Sequence, residues 1–89
     1  MDVNNTTWQL AGAGGDASLV IQNVGITTIG FVFAASAPAD DAYDLNTGDH
    51  FVLLPGSSPT TITDLDTNTK NVYVRSIGPI AGKLAVEAN

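Results

Sequence analysis

Short runs of β-forming residues recur about every ten to thirteen residues along this 89-residue chain, with one longer gap at 35–48, and Gly, Pro and Asn separate nearly all of them. Runs of this length between turn-formers are typical of strands. No window of a dozen residues places apolar residues at the i, i+3, i+4, i+7 spacing of an amphipathic helix. The pattern therefore predicts an all-β protein, with strands at 6–10, 18–23, 27–34, 49–54, 60–65, 71–77 and 83–88.

Alternation within these strands predicts which side chains face inward, because successive residues of a strand point to opposite faces. In each of the last two strands one face is mainly apolar and the opposite face carries a charged residue. The predicted inward set is Val72, Val74, Leu84 and Val86.

The strand at 27–34 is apolar on both faces, with Phe31 and Phe33 on one and Val32 on the other. Strands that are covered on both faces have apolar residues on both faces. We expect it to be central in its sheet or covered by a neighbouring subunit, with Phe31 and Phe33 buried in the core or between subunits.

The connections between the strands favour a particular architecture. Residues 78–82 are expected to join the last two strands as a hairpin, and residues 35–48 lack a strand pattern. One long crossover among short turns is what a Greek key needs. We therefore predict a small Greek-key β-sandwich of about seven strands, Ig-like, with a small partly open barrel as the alternative.

The length of 89 residues indicates a single domain over residues 1–89, and residues 1–7 could form an extended N-terminal arm. A chain this short buries roughly 60–65% of its unfolded surface, so its stability margin is small. With no cysteine, no disulfide can add to that margin. Stability must come from the core, from a partner or from self-association. With an initial Met and no signal peptide visible, synthesis in a cytoplasm is expected.

The net charge of −6, from nine acidic and three basic residues, excludes several partners. Nucleic acids and anionic membranes are bound by clusters of Lys and Arg, which three basic residues cannot supply. The longest apolar runs, such as FVFAA, are far too short to span a bilayer. Neither nucleic acid nor membrane is therefore expected as a partner.

Acidic and amide residues at every second position from Asp64 to Asn68 suggest a calcium loop. Such a loop also needs Gly at its sixth position and a bidentate Glu at its twelfth. Those positions hold Thr69 and Arg75, and a guanidinium repels the ion. The pattern instead predicts an Asx-type turn between two strands.

The surrounding segment, ITDLDTNTKNVYVRS at 62–76, resembles the tyrosine-corner segment of fibronectin type III domains. That resemblance implies that the Tyr73 hydroxyl bonds backbone a few residues upstream. Tyr73 as a partly exposed strand residue is the alternative.

The acidic stretch at 39–49 contains four carboxylates and one tyrosine. It could gather a divalent ion or form a solvated loop. As a contact loop it would use Tyr43 as an aromatic anchor and its carboxylates to bind basic residues of a partner. The carboxylates are those of Asp40, Asp41, Asp44 and Asp49.

No catalytic constellation is found, so no enzyme is expected. His50 beside Asp49 suggests a dyad, but adjacent strand residues point to opposite faces. There is no cysteine and no G-x-S-x-G elbow, and one histidine does not make a zinc site. No catalytic residue, cofactor or metal site is predicted.

The layout of the chain resembles small virion proteins of tailed bacteriophages, especially capsid decoration or cementing proteins and related head or tail accessory proteins. The stretches that carry the resemblance are TTWQL, LVIQNVG, ASAPADD, the L-x-x-G-D-x-F run at 45–51 and VYVRSIGPIAGKLAVEA.

The resemblance implies a virion protein that binds the outer capsid lattice in many copies. The implied partners are the major capsid protein or another virion protein, and further copies of the chain itself, with a trimer favoured. We expect the 35–48 loop or the N-terminal arm to touch the partner. The candidate partner-binding residues are Trp8, Phe31, Phe33, Asp40, Asp41, Tyr43 and Asp44.

Two other functions remain open. A carbohydrate-binding or host-adhesion module would use Trp8, Tyr43 or Tyr73 as exposed aromatic residues. A calcium-dependent adhesin domain would use the acidic segments.

Overall fold

The computed structural model of the chain describes residues 1–12, 18–39, 51–63 and 71–88. These residues form β-strands and loops, with no helix among them. The strands are β1 (Asp2–Val3), β2 (Gln9–Gly12), β3 (Ser18–Asn23), β4 (Ile29–Ala34), β5 (Phe51–Leu53), β6 (Thr60–Thr63), β7 (Asn71–Ser76) and β8 (Gly82–Ala88). A strand is found at each of the seven predicted places, but β2 begins at Gln9 rather than at Thr6, and β1 is an additional strand.

The strands form two antiparallel sheets of four, so the predicted all-β sandwich is confirmed. The first sheet has the order β1-β8-β3-β6 and the second the order β2-β7-β4-β5. Among these eight strands, β4 and β5 are the one consecutive pair that is hydrogen-bonded, and every other connection passes between the sheets. This is the order of an eight-stranded jelly roll, which differs in detail from the Ig-like arrangement of about seven strands.

Two of the predicted connections are wrong. The long connection after β4 is not a crossover, since β4 and β5 pair directly, with Ile29 opposite Leu53. The 77–81 loop is not a hairpin, since β7 and β8 lie in different sheets. The length of a loop does not show whether it forms a hairpin within one sheet or crosses between the sheets. Five extended residues reach roughly 16 Å, whereas packed sheets lie only about 10 Å apart, so even the short 77–81 loop can cross.

The core lies between the two sheets. Val72, Val74 and Leu84 are buried there and Val86 packs against them, so the predicted inward set is confirmed. The other buried members of the core are Val3, Leu19, Ile21, Ile29, Phe31, Leu53 and Ile62.

Strand β4 lies between β7 and β5 and is therefore central, as predicted. On its inner face Phe31 belongs to the core and Phe33 packs against it. On its outer face Val32 forms a second buried cluster with Trp8 and Tyr73. The outer face of this strand is thus covered by aromatic residues of the same chain.

The N-terminal residues are part of the sandwich rather than an extended arm. Asp2 pairs with Lys83 and Val3 with Gly82, which places β1 at the edge of the first sheet beside β8. Val3 is fully buried in the core. The segment stays on the domain because it fills the core and satisfies the backbone of β8.

Candidate interaction surface

Two of the aromatic residues predicted to bind a partner lie inside the protein. Trp8 is 5% exposed and Phe31 is 7% exposed. The Phe31 ring stacks on Phe51 with a centroid separation of 5.2 Å, and Phe33 meets Phe31 edge-on at 6.1 Å. These rings stabilise the sandwich, and only Phe51 of the three exposes most of its side chain.

The predicted site residues of the two acidic segments lie outside the described part of the chain. The candidate partner-binding residues among them are Asp40, Asp41, Tyr43 and Asp44. The Asp49–His50 pair and the acidic turn with Asp64, Asp66 and Asn68 also lie outside the described residues.

Tyr73 is buried at 7% exposure, so its reading as a partly exposed strand residue is wrong. Its hydroxyl accepts a hydrogen bond from the Asn71 side-chain amide at 3.4 Å. The same amide donates to the Ala35 carbonyl at 3.3 Å. The upstream segment that a tyrosine corner would use, 64–70, is outside the described residues.

Four loops meet at one end of the sandwich, because antiparallel strands alternate in direction and four connections therefore share an end. They span residues 4–8, 24–28, 54–59 and 77–81. None of them contains Asp, Glu, Lys, Arg or His. We call this set of loops the uncharged end.

The strand ends at the opposite end of the sandwich border three connections of the chain, 13–17, 40–50 and 64–70. In the sequence these connections hold seven of the nine acidic residues and one of the three basic ones. The two other acidic residues, Asp2 and Glu87, are balanced by Arg75 and Lys83. The sequence therefore assigns the whole net charge of −6 to these three connections.

A buried asparagine organises the uncharged end. Asn23 is 1% exposed, and its Nδ2 donates to the Thr27 carbonyl at 2.7 Å and to the Leu53 carbonyl at 2.9 Å. Its Oδ1 accepts from the Gly25 amide at 3.1 Å. Three backbone groups are satisfied by one side chain, which ties the 24–28 loop to the end of β5.

The 77–81 loop is held from three sides. The buried Ser76 hydroxyl donates to the Ile80 carbonyl at 2.6 Å, and the Ile77 amide donates to the Thr28 carbonyl at 2.9 Å. The Asn5 side-chain amide reaches the Gly78 carbonyl at 3.4 Å. The loop is thereby joined to both 24–28 and 4–8.

Glycine is required at position 78 because two loops approach closely there. A Cβ built on Gly78 would lie 2.2 Å from Oγ1 of Thr27, which is a severe clash. Thr27 is buried and β-branched, so its side chain cannot easily rotate away.

The 4–8 loop is built around Asn4 and Arg75. The Asn4 Oδ1 accepts from the backbone amides of Thr6 at 3.1 Å and Thr7 at 2.8 Å, as in an Asx turn. The Arg75 guanidinium donates to the Asn5 carbonyl through Nε at 3.2 Å and Nη2 at 3.0 Å. Arg75 therefore supports this loop from the neighbouring strand.

The loops held in this way expose large apolar side chains. Ile26 is 84% exposed, Leu54 59%, Val24 56% and Ile80 48%. We had not predicted these residues as a site. The available signal was an isolated large apolar residue beside Gly or Pro inside a turn, as in VGI at 24–26, LPG at 54–56 and PI at 79–80.

The outer face of the first sheet has a different character. Lys83 Nζ donates to Asp2 Oδ1 at 2.9 Å in an exposed salt bridge. That hydrogen bond lowers the pKa of Asp2 from its ordinary value of 3.8, and it raises the pKa of Lys83 from 10.5. A shallow open groove of about 250 Å³ crosses the same sheet, lined by Val20, Gln22, Pro59, Ala85, Val86 and Glu87.

Neither a metal-binding cluster nor a membrane-spanning helix is found in the described ranges. No group of three His, Cys, Asp or Glu side chains lies together there. No helix in the same ranges is long and apolar enough to cross a bilayer.

No known protein-family model matches the chain, and neither does any curated protein or solved structure.

Proposed function

We propose that this protein is a non-enzymatic structural component of a virion that binds the capsid lattice in many copies and stabilises the particle. The observation that supports this most is the chemical difference between the two ends of the domain. The loops of the uncharged end contain no charged side chain, are held by buried polar side chains and expose apolar residues. The sequence assigns the net negative charge to the connections that the strand ends at the other end border.

The jelly-roll strand order is consistent with this proposal, because viral capsid domains use it. The fold carries limited weight, since lectins and cupins share it. The surface of the uncharged end carries more weight than the fold. Exposed apolar side chains mark sites of interaction, and loops that are already ordered lose little conformational entropy on binding.

In the proposed mechanism each subunit makes a weak contact with the lattice, and many copies together bind firmly. The partner is the major capsid protein or another virion protein, and the subunits associate with one another, a trimer being the favoured form. The acidic residues Asp40, Asp41 and Asp44 would seek a basic surface on the partner, with Tyr43 as an anchor.

Sedimentation of virions through a density gradient tests this function. Virions of the virus that encodes this protein would be mixed with the purified, tagged protein. The virion fraction of the gradient would then be analysed for bound copies of the tagged protein. We expect many copies per particle and an increase in the thermal stability of the particle. Protein that stays at the top of the gradient at all concentrations would contradict the proposal.

Two variants address the acidic contact. The triple variant Asp40→Asn, Asp41→Asn, Asp44→Asn should bind particles less tightly and with a smaller dependence on salt. Glu87→Gln, which removes a charge from the outer face of the first sheet, should bind as the unmodified protein does.

The burial of two aromatic residues argues against carbohydrate binding. Two of the three aromatic residues that it would use, Trp8 and Tyr73, are buried in the second cluster. The third, Tyr43, lies outside the described residues.

A further inference from the structure

We propose that copies of this chain meet through the uncharged end, so that their loop tips converge on the symmetry axis of the assembly. This deepens the proposed function by naming the surface of self-association. This inference rests on one part of the proposed function, the association of the subunits with one another, and does not require that they bind a capsid.

The first reason is the burial that such a contact would provide. Val24, Ile26, Leu54 and Ile80 expose between 48% and 84% of their surface on loops already held by internal hydrogen bonds. Removing apolar surface from water is favourable, and preformed loops lose little freedom when they associate. The loops contain no charged side chain, and the charges beside them already have partners. Lys83, whose carbonyl accepts from the Val24 amide, bonds Asp2, and Arg75 bonds the Asn5 carbonyl.

The second reason concerns charge, and it favours a second copy as the occupant. Two copies that meet through the uncharged end leave the strand ends that border the acidic connections at the far ends of the pair. The molecule measures 33 × 26 × 20 Å, whereas charges are screened over about 8–10 Å at physiological ionic strength. A basic partner would be attracted to the acidic connections instead, so the uncharged end suits a surface as uncharged as itself.

The uncharged end is also large enough for a specific contact. A standard interface buries about 800 Å² on each partner. That area is about a sixth of the 4764 Å² surface of this molecule. The four loops hold about a quarter of the residues of the chain.

The test is self-association of the purified full chain in the absence of any particle. Sedimentation velocity from micromolar to millimolar concentration should show a weight-average mass that rises with concentration. NMR spectra over the same range should show amide shifts concentrated in the four loops. A monomer at millimolar concentration, or shifts that map to the outer sheet faces, would overturn the inference.

Two variants with the same net charge locate the contact. Ile26→Asp places a carboxylate at the most exposed apolar tip and should weaken association by at least about tenfold, since a charge would be buried without a partner. Ala85→Asp adds the same charge to the outer face of the first sheet and should associate like the unmodified protein. Equal effects of the two variants would contradict the inference.

Both positions are exposed, so both variants should fold, and the NMR spectrum checks this directly. Should Ile26→Asp be unfolded, Leu54→Asp replaces it, because Leu54 is 59% exposed on a different loop.

Salt provides an independent measurement. Association through uncharged loops should change little as the salt concentration rises. Association that appears only at high salt would show that acidic segments face each other, and it would overturn the inference. Protein that self-associates without binding particles would refute capsid binding alone, and monomeric protein that binds particles would refute this contact alone.

Discussion

At the scale of single residues, the uncharged end depends on a few buried polar side chains. Asn23, Thr27 and Ser76 are the buried polar residues among those described, and all three lie at this end. A buried polar group is costly unless it is hydrogen-bonded, so the bonds made by Asn23 and Ser76 specify one loop geometry. The apolar tips can then be displayed without collapsing onto the domain.

We predict that Asn23→Ala lowers the free energy of unfolding by about 3 kcal/mol, because it leaves three backbone groups without their partner. Urea denaturation followed by the fluorescence of the single buried tryptophan, Trp8, measures this. The matched control is Gln22→Ala, which loses one longer bond to the Ser57 carbonyl at 3.4 Å and should cost less than about 1 kcal/mol. Similar losses for the two variants would show that Asn23 does not organise the loops.

The Asp2–Lys83 pair predicts a specific titration. Asp2 should titrate below 3.8 in the folded protein, and Lys83→Met should return its pKa towards that value. Because the folded pKa of Asp2 is lowered, its stabilising contribution is present above pH 3.8 and is lost as the pH falls through the folded value. The raised pKa of Lys83 means a contribution that is present below pH 10.5 and lost as the pH rises through its folded value.

NMR titration of the carboxyl groups in both proteins measures these values. Between pH 3.8 and pH 10.5 the contribution of the Asp2–Lys83 pair to the free energy of unfolding should not change with pH. An Asp2 pKa unchanged by the loss of Lys83 would contradict the contact.

At the scale of elements, the shortest strand is the one that the pattern did not reveal. Strand β1 has two residues, too few to show an alternation, and its neighbours Asn4 and Asn5 read as a turn. The longer strands were predictable because alternation and turn-formers are local properties. The role of β1 depends on Val3 reaching the core and on the exposed edge of β8.

We predict that Val3→Ala costs about 2 kcal/mol, since Val3 is fully buried and its methyl groups leave a cavity. Val24→Ala removes the same atoms from a residue that is 56% exposed and should change stability by less than about 0.5 kcal/mol. Denaturant titration of both variants gives the comparison. Equal, small effects would mean that the N-terminal segment is an arm after all.

At the scale of the whole molecule, the strand order separates most consecutive strands into different sheets. Of the pairings between the eight described strands, β4–β5 alone joins neighbours along the chain. Every other pairing must close a longer loop before it gains any contact energy, and such topologies fold slowly.

We therefore predict refolding in about milliseconds to seconds, rather than in the microseconds typical of small helical bundles. Stopped-flow dilution from urea, with Trp8 fluorescence as the signal, measures the rate. Trp8 reports the outer cluster of the second sheet, so its change should coincide with the circular dichroism of the strands if folding is two-state. Refolding complete within the dead time of mixing would contradict the strand order.

The sequence alone determined the class of the fold, the approximate position of seven strands and the inward set that includes Val72 and Leu84. These follow from the alternation of side chains along one strand and from turn-forming residues, which act over a few positions. For the same reason the pattern recognised that β4 is apolar on both faces.

The tertiary structure alone decided which strands pair, that 77–81 crosses between sheets, and that Trp8 and Tyr73 cover β4. It also brought four uncharged loops together, which made a surface out of residues such as Ile26 and Leu54 that are isolated in the chain. Pairing and convergence depend on how distant segments fill one shared core, and no short window of residues contains that information.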